Sequence, residues 1–293
     1  MVVTFLYTLG GGMLLVMASG NPRAMAWNYL RTIGAIVLAL GSGATLWVLS
    51  QAGWQIAAPL DTALGAALAV AAAVLVFAAP LMERAVGLYR GLTALGGAAG
   101  IAAACLHGLT LFTRQADPTT ALRIMAVAGF VAAALLLGSI TVAWLLGHAY
   151  LTQTRMTIAP LRHFSRVLLW AVGIRTVFLL ASLALGFSGA IGTLRPTRAD
   201  AGPSVVAADA ALAQADRAEP VGLSAALAGA WLMLSLRIGL GLVAVGIFAW
   251  MVAECVKIRS TQSATGILYF ASLFAIIGEL ASQQFIHEIG WPL

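Results

Sequence analysis

Five ionisable residues fall inside long apolar stretches of this sequence: His107, His148, Arg175, Arg237 and Glu279. A charge in hydrocarbon is costly, so each needs a protein partner, a bound group or water within the bundle. A neutral imidazole can ligate haem iron or bond a quinone carbonyl. A guanidinium suits a haem propionate, a lipid phosphate, a quinone carbonyl or main-chain carbonyls at a helix break. A carboxylate calls for a cation, a proton or water.

Helical spacing groups these residues with others. Gln262, Thr265, Tyr269, Ser272, Glu279 and Gln283 fall within roughly 100° of arc at 3.6 residues per turn, one polar stripe facing either partner helices or a wet cavity. Thr141, Trp144, His148, Thr152 and Arg155 share another face, so His148 is either a ligand or an interfacial anchor. His107 follows Gly96, Gly100 and Ala103, a small-residue track that admits either a neighbouring helix or a flat macrocycle. Arg175 lies on a face with Ser182 and Gly186. Neither arginine has an evident carboxylate at its depth, except Glu279 within reach of a long side chain.

His107 and His148 sit on antiparallel helices near opposite membrane edges, too far apart at 1.5 Å per residue to ligate one iron. The pairings open to them are His107 with His287 and His148 with His163. His163 and His287 are otherwise solvated loop or helix-end residues. His107, His148, His163, His287, Arg175, Arg237, Tyr269 and Glu279 are the candidate binding residues, with His107 and His148 as possible haem-iron ligands.

The elements that must hold them follow from composition. Hydrophobic residues make up 61% of the 293 and charged residues 9%, against about 25% charged in soluble domains. Mean hydropathy is +0.98. Apolar runs near 20 residues recur, so the sequence predicts an all-α integral membrane protein with about eight spans in a single domain. The spans are expected at 2–20, 33–52, 62–82, 91–113, 124–150, 166–191, 223–253 and 264–286, with a long external loop at 193–222. Met1 begins an apolar segment without a basic lead, which reads as a retained first span. Alternate connectors carry Arg23, Arg31, Arg84, Arg90, Arg155, Arg162, Arg166, Lys257 and Arg259. The positive-inside rule then puts both termini outside, on the periplasmic face of a bacterial cytoplasmic membrane. The net charge of +6 is explained by that bias, not by nucleic acid.

Several chemistries find no motif. There is no phosphate-cradling loop for a nucleotide, no HExxH and no nucleophile elbow. Cys105 and Cys255 cannot form an iron–sulfur site, and no internal repeat emerges. Arg162-His163-Phe164-Ser165-Arg166 resembles the Arg-Phe-Ser-Arg stretch of copper-resistance D-type membrane proteins, with a histidine inserted; that resemblance implies copper handling. In helix number the sequence is similar to the quinol-binding membrane subunits of polysulfide-reductase type, with no motif shared.

The leading expectation is a membrane-embedded electron-transfer subunit, using quinone, haem b or both, within a larger respiratory-type or photosynthetic-type complex. It would not be catalytic alone; its partners would be the bilayer and other subunits. The alternatives are a permease for a metal ion or proton-coupled solute, lined by Glu279, Tyr269 and Arg175, and a non-catalytic scaffold.

Overall fold

The computed structural model describes residues 1–52, 60–115, 119–152, 157–188, 231–289 and 291–293, without side-chain surroundings at 111–115, 152, 288 and 289. The described residues contain no strand. The main helices are α1 (Val2–Ala18), α2 (Trp27–Gln51), α3 (Leu60–Phe77), α4 (Val86–Gln115), α5 (Thr120–Thr152), α6 (Ala159–Phe187), α7 (Trp231–Lys257) and α8 (Thr261–Ile289). Seven of them, α2 to α8, are long and apolar enough to cross a membrane, which suggests an integral membrane protein. The outer surface agrees: Trp47, Phe77, Leu95, Trp170, Val177 and Phe270 stand exposed where lipid tails would meet them. α1 is shorter, 17 residues or about 25 Å of helix.

Proline sets two boundaries differently from expectation. The connector placed at 152–166 is shorter, because α6 already begins at Ala159 with Pro160 in its first turn. Proline is favoured there, since its missing N–H would have no helical partner anyway. His163 is therefore a helix residue, not a loop residue. The third span, expected as continuous over 62–82, stops at Phe77 and resumes as the single turn Ala79–Met82, with Pro80 near its start. The 193–222 loop, with its arginines, lies outside the described residues, as does Arg155.

α1 is the buried post of the first half. Twelve of its seventeen residues are buried, and it packs on α2, α4 and α5. A Cβ on Gly11 would lie 2.7 Å from Ile101 N, and a Cβ on Gly138 would lie 2.8 Å from Gly12 Cα. Backbones touch at these crossings because no side chain intervenes. Buried phenols tie the ladder together: Tyr29 Oη donates to Val142 O and Tyr89 Oη to Met17 O, each at 2.8 Å.

α5 is the shared wall. It packs on α1 of the first half and on α6 and α8 of the second, while α7 joins α6 and α8. Two local features shape α7. Residues Leu236–Ala244 form a π-helical stretch, and the helix ends with Arg259 at φ 60°. Ser260 N donates to Cys255 O and Arg259 N to Val256 O, the paired bonds of a Schellman cap.

Candidate functional site: a buried Arg–Glu–Arg cluster

α6, α7 and α8 bring Arg175, Arg237 and Glu279 to one point. All three are shut from the surface, at 1%, 1% and 0% exposure. The contact of α7 with α8 makes this possible: Gly241 and Gly278 meet backbone to backbone, and a Cβ on Gly241 would lie 2.6 Å from Gly278 Cα. Glu279 follows Gly278 directly, and Arg237 lies four residues before Gly241 in the π-helical stretch. π-helical turns rotate side chains out of the ordinary α register and recur at functional sites.

Arg175 grips Glu279 with two prongs, Nε to Oε1 at 2.9 Å and Nη2 to Oε2 at 2.8 Å. This fork geometry strengthens and orients an arginine–carboxylate pair. Arg237 Nη1 sits 2.9 Å from Glu279 Oε1, close enough for an ion pair, though off the line of a hydrogen bond. Arg175 Nη2 also donates to Ser282 Oγ at 3.1 Å and to Leu293 O at 2.8 Å. The Phe178 ring covers its guanidinium, 5.2 Å from centroid to Cζ.

Residues 291–293 fold inward over this cluster. Trp291 and Leu293 are buried; Trp291 Nε1 donates to Ser182 Oγ at 3.1 Å, and Ser182 and Ser282 donate to Pro292 O and Leu293 O. Donor capacity remains. Among the described residues, Arg175 Nη1, Arg237 Nε and Nη2, and both ends of the Gln283 amide are buried without a hydrogen-bond partner. Gln283 lies one turn beyond Glu279 on the same face.

Glu279, the one acid expected within reach of a long arginine side chain, meets both Arg175 and Arg237. Its own need is met by guanidiniums, because the Gly241–Gly278 crossing draws α7 close enough for Arg237 to reach. The polar stripe on α8 also divides. Tyr269, ten residues from Glu279 and so about 15 Å away along the axis, joins the histidine on α5. His148 Nδ1 lies 3.0 Å from Tyr269 Oη, and Trp144 packs edge-on against that ring at 5.4 Å between centroids. Among the described residues, Thr141 Oγ1 and Trp144 Nε1 have no hydrogen-bond partner there and are buried.

Comparison with protein-family models, curated proteins and solved structures gives no match. The chemistry must therefore be read from this chain alone.

The remaining histidines lie elsewhere. His107 Nδ1 is 2.8 Å from Asp61 Oδ2, with the imidazole 18% exposed; Asp61 also accepts from Thr62 N at 2.8 Å. The small-residue track beside His107 receives helices: Gly96 faces Ala71 and Leu14, and Gly100 faces Gly11 and Leu68. His163 Nε2 lies 2.9 Å from Ser19 Oγ. His287 is exposed on the last turn of α8. Among the described residues no group of three His, Cys, Asp or Glu is placed to hold a metal, and Cys105 and Cys255 are free thiols.

Sequence reasoning passed over Asp61, Ser282 and the Trp291–Leu293 segment as site residues. Asp61 carried a signal, an acid at the mouth of a span that also brings Tyr7, Thr45 and Gly65 together. The tail offered only a tryptophan and a leucine after a helix, which is little to read.

Proposed function

We propose that this chain is a proton-coupled permease for a small oxyanion, with Arg175, Arg237, Glu279 and Gln283 as its binding centre. One observation carries this reading: a charged cluster from three helices keeps unpartnered guanidinium and amide donors deep in the bundle. Such donors favour a group rich in acceptor oxygens. Two guanidiniums repel a metal cation, which argues for an anion as cargo. Protonation of Glu279 would remove both ion pairs and release the arginines to the incoming anion, so proton and anion uptake would be linked. On this proposal α1 makes an eighth crossing of a bacterial cytoplasmic membrane, with both termini outside.

The test is flux in proteoliposomes carrying a trapped pH dye, under inward gradients of nitrate, sulfate, phosphate or lactate. The expected result is saturable acidification with one of them, abolished by Glu279→Gln. Absence of proton movement with all four removes the proposal.

A second reading, an electron-transfer subunit for quinone or haem b within a larger complex, is favoured by His107 and His148. Each ring is held through Nδ1, by an acid or a phenol, an arrangement that orients the opposite nitrogen toward a ligand. A reduced-minus-oxidised spectrum without a haem band, together with no extractable quinone, removes this second reading.

A further inference from the structure

Further along the same helices that hold the charged cluster, near the start of α6 and the end of α7, these two helices border a cleft of about 370 Å³. Its lining changes along the helices. Arg162, Arg166, Lys257 and Glu254 line it toward the start of α6 and the end of α7, and Leu169 and Trp250 line it further into each helix. Leu169 and Trp250 are also open to the surroundings, at 37% and 59% exposure. Lys257 Nζ donates to Glu254 Oε1 at 2.6 Å, which offsets one positive charge and leaves two arginines. Those arginines are four residues apart on one helical face, where like charges repel unless an anion lies between them. Positive-inside bias accounts for basic residues at this end. It does not account for their convergence on one cleft that an aromatic also lines.

We propose that this cleft seats one anionic phospholipid, its phosphate between Arg162 and Arg166 and the start of an acyl chain along Leu169 and Trp250. The seven residue steps from Arg162 to Leu169 cover about 10 Å of helix, enough to cross the interfacial layer of roughly 5–8 Å and enter hydrocarbon. A free phosphate would use the basic residues and leave Leu169 and Trp250 idle. Basic pockets between spans take anionic head groups on these grounds, and tryptophan sits naturally at this level.

Native mass spectrometry of the detergent-purified chain, titrated with phosphatidylglycerol or phosphatidylcholine, tests the assignment. Phosphatidylglycerol should be retained preferentially and should resist competition by inorganic phosphate. Retention should fall about fivefold for each arginine replaced in Arg162→Gln and Arg166→Gln. It should survive Arg162→Lys combined with Arg166→Lys and weaken in Trp250→Ala. Equal retention of both lipids, undiminished binding by the glutamine variants, or displacement by phosphate overturns the proposal. If the glutamine variants fail to elute as folded protein, Trp250→Ala decides, and undiminished phosphatidylglycerol retention there overturns it.

Discussion

Arg175 and Glu279, 104 residues apart in sequence, meet through two parallel hydrogen bonds of 2.9 and 2.8 Å deep in the bundle. Arg237 stands against the same carboxylate. Removing one partner of a buried pair leaves the other uncompensated, which costs about 3–5 kcal/mol. Glu279→Gln strands two guanidiniums at once, so its thermal unfolding midpoint in detergent should drop well below that of Arg237→Met, which removes a cation and keeps the fork. An unchanged midpoint for Glu279→Gln would show that these ion pairs do not hold α6 to α8.

The crossing of α7 and α8 is steric as well as electrostatic. A Cβ at Gly241 would press on Gly278 Cα at 2.6 Å and on Arg237 Nη1 at 3.1 Å. Gly241→Ala should cost about 1–3 kcal/mol through forced separation of the helices. Gly266, with nothing within 4 Å of its would-be Cβ, makes the control: Gly266→Ala should be neutral or gain up to about 1 kcal/mol from helix propensity. Equal effects of the two changes, compared by thermal unfolding, would refute close packing at this crossing.

Arg259 holds a left-handed backbone at φ 60° in the cap between α7 and α8. A side chain there costs roughly 1–2 kcal/mol that glycine avoids. Arg259→Gly should therefore stabilise the protein by about 1 kcal/mol, after some loss from the freer unfolded chain. A lower unfolding midpoint for this variant would mean that the guanidinium supports the cap in another way.

The helical membrane class was legible in the sequence because apolar length speaks directly to bilayer thickness, and the same logic singled out Arg175, Arg237 and Glu279. Their mutual pairing was half visible, since Glu279 was the one acid within reach. That Arg237 would share it depended on Gly241 and Gly278 facing each other, and helix-to-helix rotation is not written in either helix alone. Histidine partners were hidden for the same reason: Asp61, Tyr269 and Ser19 come from distant spans. The start of α6 was misjudged because Arg162, His163 and Arg166 look like a connector, whereas Pro160 marks a helix start. Arg259 gave no warning, because a left-handed cap normally announces itself with glycine.

α5 has a consequence for biogenesis. It follows α1 to α4 in the chain, and it is the surface on which both earlier and later helices close. The first four can complete their packing as soon as it enters the bilayer, when α1 gains the backbone seat opposite Gly138. α6, α7 and α8 come later in the chain, so synthesis in sequence order would give them a template already in place, and the ionic lock among them would form after it.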